Sequence, residues 1–239
     1  MFQFKNTFLN TVTSVFKGRK LNQSNSLSTF FQGMKPQFNY SRINQFFYRI
    51  NNPITYSLVG ANLLVFGLYQ SRVIKTSTFI DNFTLGTKQI NQHRYHTLAT
   101  YSFAHTNLMH LGANMIGLYF FGKFIENQFG SRALAKLYFG GALLGGIFIL
   151  LDLYKKRSYQ IHIGASASVS AIVTNFTLNF PRLTVFFFFI PMPAWVLGIL
   201  ILLQSVVFYG DSGSVSHQGH LGGIVFGGLS YFLMRKGRF

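Results

Sequence analysis

The chain has 239 residues, of which 49% are hydrophobic and only 10% charged, and its mean hydropathy is +0.29. Soluble domains carry about 25% charged residues, so this composition belongs to a membrane protein rather than a soluble globular one. Lys and Arg number 21 against 4 Asp and Glu. The basic residues fall between long apolar runs, as they do beside membrane spans, so the partner implied is a lipid bilayer and no nucleic acid is expected. The absence of cysteine excludes disulfides, thiolate metal sites and Cys-held iron–sulfur clusters. The acids are Asp81, Glu126, Asp152 and Asp211, none in the middle of an apolar run. That argues against two-carboxylate chemistry and leaves a Ser-His-Asp triad without a third member.

Residues 1–50 differ from the rest. They hold seven basic residues (Lys5, Lys17, Arg19, Lys20, Lys35, Arg42, Arg49), no acid and many hydroxyl and amide side chains. Phe8, Val12 and Val15 fall on one helical face. A basic, hydroxyl-rich, amphipathic, acid-free segment is predicted to be a mitochondrial targeting extension. A basic tail lying on anionic lipid is the plainer alternative. Residues 51–239 form the membrane domain.

After Pro53 six apolar runs follow, at 54–71, 98–122, 133–153, 165–180, 194–209 and 220–234. A bilayer core of about 30 Å needs about 20 helical residues. The fold class predicted is an all-α membrane protein, a bundle of six transmembrane helices with a basic N-terminal extension. The fourth run is short: 16 residues rise only about 24 Å. A helix that begins below the membrane surface is tolerated where it lines a wet cavity, which places Ser166 at the head of a recessed helix. Gly141 with Gly145, and Gly223 with Gly227, have the small-xxx-small spacing that lets helices approach closely. They are expected to seat the sixth run on the fourth.

Two polar side chains in these runs invite chemistry. Ser166 is a candidate nucleophile, which needs an adjacent base at neutral pH. His220, near the start of the sixth run, is the candidate base. Ser166 near a helix N-terminus also offers its own N–H to a developing oxyanion. His110 and Asn114 lie four apart on one helix face and both can donate, which suits a side-chain supplement to an oxyanion hole. The structural alternative is packing or backbone bonding for Ser166 and interhelical hydrogen bonding for His110 and Asn114. His105 is placed near the same mouth, in a loop-orienting role. His93, His96, His162 and His217 lie outside the runs and are expected to be interfacial or exposed.

The residues carry a family likeness. The run His105-Thr106-Asn107-Leu108-Met109-His110-Leu111-Gly112-Ala113-Asn114 resembles the second-helix signature of rhomboid intramembrane serine proteases. Gly164-Ala165-Ser166 resembles their nucleophile motif, and Gly219-His220-Leu221-Gly222-Gly223 with Gly227 their sixth-helix histidine motif. The stretch from Gly122 through Glu126 to Gly130-Ser131 is similar to the segment after their second helix. The context of Asn114 and the Ile-Pro break after Arg182 are similar to the mitochondrial, presenilin-associated branch.

The resemblance implies a Ser166–His220 dyad that cuts transmembrane protein substrates. His110, Asn114 and the Ser166 N–H would hold the oxyanion, with no cofactor and no metal. It also implies a mitochondrial inner-membrane, multi-pass location. Three positions depart from the family pattern. Ala167 stands where glycine is usual, and its methyl is expected to narrow the oxyanion site. Ser170 stands where an aromatic often stacks on the base, and Gly219 replaces the commoner alanine. Ala167 and Ser170 support a second reading, a rhomboid-like structural subunit of a larger mitochondrial inner-membrane complex, such as a respiratory one, with reduced or no protease activity, whose other subunits order residues 1–50. A transporter or channel is weaker, because no paired intramembrane charges mark an ion path.

Overall fold

A computed structural model of the chain describes residues 52–187, 189–209 and 216–239. The basic extension at residues 1–50 and Asp211 lie outside the described residues.

Pro53 opens helix α1 (Pro53–Gln70), where a missing N–H costs nothing. The next two N–H groups are capped from elsewhere in the fold, by Glu126. Its Oε1 accepts from the Ile54 N–H at 3.0 Å and from the Ser131 hydroxyl at 2.7 Å. Its Oε2 accepts from the Thr55 N–H at 2.8 Å and the Thr55 hydroxyl at 2.6 Å. A buried carboxylate thus sits against the positive end of a helix with four donors on it, the arrangement that makes a buried charge tolerable.

Short helices α2 (Thr76–Phe83), α3 (Thr87–Asn91) and α4 (Thr97–Thr100) and a 3₁₀ turn at Tyr101–Phe103 follow. Helix α5 (Leu108–Gly117) then passes through a π-helical turn (Leu118–Gly122) into α6 (Lys123–Phe129). The second predicted run therefore begins ten residues too early, at 98. Ala104 is extended, and Asn107 caps α5 by accepting from the His110 N–H at 2.8 Å. The apolar residues 98–104 belong to the preceding turns, packed around the fully buried Tyr101.

Helix α7 (Ser131–Lys156) is the longest, with 26 residues, and α8 (Ser166–Asn179) is short, with 14. The break after Arg182 folds as an antiparallel hairpin, β1 (Thr184–Phe187) with β2 (Ile190–Pro193), pairing Val185 with Met192. The described chain is thus mostly helical but not purely α. Helices α9 (Ala194–Val207) and α10 (His217–Arg235) complete it.

Each predicted apolar run contains a helix, yet among the described helices only α7 is both long and apolar enough to cross a bilayer by length and composition. Helices α8 and α9 are short, and polar residues on α1 and α10 turn inward. On α1, buried Asn62 donates to the Tyr138 hydroxyl at 3.0 Å. On α10, buried Ser230 accepts from Asn175 at 2.9 Å. The outer faces are apolar at helical spacing: Phe139, Leu143, Ile147 and Leu151 on α7, and Val225, Leu229 and Phe232 on α10, are all exposed. Stripes of this kind are unfavourable in water and suited to hydrocarbon. Such faces suit a membrane-embedded domain.

The middle of the bundle is a three-helix contact made possible by missing side chains. A Cβ added at Gly223 would lie 2.1 Å from the Ala167 carbonyl oxygen, and one at Gly227 2.4 Å from that of Ala171. From the other side, a Cβ at Gly145 would lie 2.5 Å from the Ala167 methyl, and one at Gly141 2.6 Å from that of Ala171. The two glycine pairs grip α8 from both flanks, at Ala167 and Ala171.

Gly223→Ala is expected to force α10 away from α8 and to destabilise the protein by about 2–3 kcal/mol, the usual cost of overpacking. Gly228→Ala, where an added Cβ meets nothing within 4 Å, should be neutral or stabilising by up to about 1 kcal/mol. Reversible unfolding in mixed micelles compares the two. By the same measurement, Glu126→Gln, which removes the charge and sets an NH₂ against hydrogen-bond donors, should cost about 2–3 kcal/mol.

Candidate functional site

The strand-like segment ahead of α8 is fastened before the serine is reached. His162 and Leu85 exchange backbone hydrogen bonds at 2.8 and 2.9 Å, and the Gly164 N–H donates to the Tyr101 carbonyl at 2.9 Å. Gly164 then turns at φ +116°, a conformation open to glycine and costly for other residues. Helix α8 starts immediately, with Ser166 as its first residue and the Val169 N–H donating to the Ala165 carbonyl at 2.9 Å. The N–H groups of Ser166 and Ala167 lie in the first turn, where no intrahelical carbonyl reaches them. Ser166 is half-buried.

Helix α5 supplies the opposite wall. Its Asn107 cap places His110 in the first turn. The imidazole of His110 rests on Gly164 so closely that a Cβ there would lie 2.5 Å from Cε1 and 2.7 Å from Nε2. Four residues on, the Asn114 amide donates to the His110 carbonyl at 3.0 Å and faces His105 Nε2 at 3.1 Å. Both N–H donors of Asn114 are therefore engaged within the protein in this resting arrangement. The sequence-based expectation of a ready side-chain donor is met by a donor that already has partners. His105 is fully buried, and its ring stands edge-on to His110 at 4.9 Å.

Helix α10 closes the third side. Ser216 caps it, accepting from the Gly219 N–H at 3.4 Å. Gln218 donates to Asp152 Oδ2 at 3.0 Å, and Lys156 pairs with the same oxygen at 2.9 Å, which ties the head of α10 to the end of α7. His220 is half-buried in this first turn. It is three residues before Gly223, hence on the same face as the contact with Ala167. Gly164, two residues before Ser166, and Ala167, the residue after it, are thus covered by α5 and α10, the helices that carry His110 and His220. Among the described residues no hydrogen bond joins Ser166 to His220.

Two expectations need correction. His217, placed outside the runs as interfacial or exposed, is the buried first residue of α10, its ring 5.8 Å from that of His220 and 5.7 Å from that of Phe208. His162 lies outside the helices and is half-buried, compatible with an interfacial position, and burial holds its imidazole below the ordinary histidine range. The methyl of Ala167 does not intrude on the serine; it packs against Gly145 in the helix contact. His93 and His96 are exposed, as expected. Sequence reasoning underrated His105. The Asn107 cap was signalled by an Asn directly ahead of an apolar run, whereas nothing local signals a bond from residue 105 to residue 165.

Comparison with known proteins gives this geometry a lineage. Residues 92–237 match the model of the Rhomboid domain. The chain is 35% identical over 202 residues to RHOMBOID-like protein 12, mitochondrial, of Arabidopsis thaliana, covering 78% of this chain and 60% of that protein. It is 29% identical to Rhomboid-like protein 16, chloroplastic, of the same plant, over 79% of this chain and 64% of that one. With the Presenilin-associated rhomboid-like protein, mitochondrial, of Homo sapiens it shares 23% identity over 71% of this chain and 45% of the other. The chain thus spans less than two thirds of the length of these relatives.

Gly164→Ala should cost about 1–3 kcal/mol through its backbone conformation alone, and should also displace His110. Adding His110→Ala ought to relieve the collision but not the backbone strain. Unfolding midpoints of the single and double variants should therefore show partial recovery.

Proposed function

The chain belongs to the rhomboid family, and from that premise we propose that it is an intramembrane serine endopeptidase acting on transmembrane protein substrates. The observation that supports the reading is the packing of His110 of α5 against Gly164, and of Gly223, one turn beyond His220 on α10, against Ala167, on either side of Ser166 at the head of α8. In the reaction His220 takes the Ser166 hydroxyl proton as Oγ attacks the scissile carbonyl, then returns it to the leaving amine. The Ser166 N–H, with His110 and Asn114, stabilises the negative charge on the tetrahedral oxygen. Water, deprotonated by His220, hydrolyses the acyl-enzyme and regenerates the serine. No step calls for a metal or cofactor. The missing Ser166–His220 hydrogen bond must form in the substrate complex, where catalytic contacts commonly tighten.

The names of two of the relatives above and the basic segment at 1–50 support a mitochondrial location, for which we propose the inner membrane, with all six apolar helices embedded. A rhomboid-like structural subunit of a larger complex is the second reading. The open Ser166–His220 contact and the engaged Asn114 amide favour it.

Cleavage of a transmembrane reporter in proteoliposomes separates the two. Wild type should cut, while Ser166→Ala and His220→Ala should each fall by about 10³-fold or more. Equal cleavage by all three, or none by the wild type, would leave the structural subunit as the reading.

A further inference from the structure

Buried His105 has an unusual position. Its Nε2 lies 3.1 Å from the Asn114 amide nitrogen and accepts from the Ala165 N–H at 3.4 Å. The Asn114 nitrogen is identified by its second contact, the His110 carbonyl at 3.0 Å, which an amide oxygen would repel. With two donors directed at it, Nε2 is the unprotonated ring nitrogen, and a neutral imidazole has a single acceptor lone pair there. One lone pair therefore serves two donors from two elements: α5, through Asn114, and the turn that delivers Ser166, through Ala165.

We propose that His105 is a positioning residue for oxyanion binding, and that the shared lone pair is the device. The inference rests on the protease reading. At rest, His105 holds the Asn114 amide beside the nucleophile turn with its hydrogens satisfied. When a substrate carbonyl oxygen gains charge, one Asn114 N–H turns to it, and the Ala165 N–H takes the Nε2 lone pair alone. No acceptor is left bare by the exchange, and the proton count of His105 does not change. A buried polar group that lost its partner outright would be costly; here the second donor is already in place. The same bond anchors the backbone one residue before Ser166, so the N–H of the nucleophile and the amide of Asn114 are set by one ring.

The test is a double-mutant cycle in proteoliposomes with the transmembrane reporter. His105→Leu should lower kcat about tenfold or more, within the range of a lost oxyanion donor, with KM changed by less than about twofold. His105→Gln, whose amide oxygen accepts from two donors, should recover most of that loss. In an Asn114→Ala background the His105→Leu effect should shrink markedly, because the two residues act through one bond. Full additivity, an unchanged kcat in a folded His105→Leu protein, or no rescue by Gln would overturn the proposal. The clamp is also read without turnover, from hydrogen exchange of the Asn114 side-chain amide by NMR in Ser166→Ala protein. Protection that disappears on adding His105→Leu supports the clamp; fast exchange with His105 intact overturns it. If wild type does not cut at all, the protease reading and the oxyanion role fall together, while the exchange measurement still decides the clamp.

Discussion

The contact on which the site depends is the backbone approach of α10 to the first turn of α8. The Cα of Gly223 lies so near the Ala167 carbonyl that no side chain fits between them. Hydrocarbon offers no hydrophobic force to press helices together, so dispersion contacts at short range and interhelical hydrogen bonds must do it. That requires small residues, and α8 is gripped at Ala167 and Ala171 by glycines of α7 and α10. The consequence reaches chemistry directly, because Ser166 precedes Ala167 and His220 lies one turn before Gly223. A packing requirement and a placement requirement are met by the same few atoms.

Polar groups elsewhere in the bundle follow a common rule: each joins elements that apolar packing alone would leave free to slide. Glu126 joins the head of α1 to α6 and α7. Asp152 joins the end of α7 to α10 through Gln218. The Tyr138 hydroxyl receives the Asn62 amide and donates to the Ser102 carbonyl at 2.8 Å. In a medium of low dielectric such bonds are directional and costly to break without replacement. They fix the register between helices while the glycine contacts fix the distance.

Much of this was legible in the residues. The apolar runs locate the helices, because the spacing of apolar side chains survives whatever the tertiary context. The small-xxx-small pairs named the contact between α10 and α8, since no other residue type permits it. What was not legible depends on through-space partners. The run from 98 read as helix by composition, but the extended backbone at Ala104 and the Asn107 cap stop it. Ala167 read as an obstruction near the nucleophile because its methyl had no visible destination; Gly145, on another helix, supplies one. The burial of His217 and the bonds of His105 were hidden for the same reason: a side chain's partner is a fact of the fold.

On the protease reading, the resting site resolves a conflict between stability and chemistry. A site within a membrane domain cannot cheaply keep bare donors aimed at an oxygen that is absent, since each unsatisfied polar group there is costly. Yet stabilising a tetrahedral oxygen requires donors that are already in place, because reorganisation adds to the barrier. Donors engaged by weak, replaceable acceptors satisfy both demands. The Asn114 amide beside a lone pair that Ala165 also uses is such a donor. On the protease reading, the lack of a hydrogen bond between Ser166 and His220 belongs to the same logic. A nucleophile bonded to its base at rest would have to break that geometry as a substrate segment entered, whereas one that closes on the substrate ties activation to occupancy.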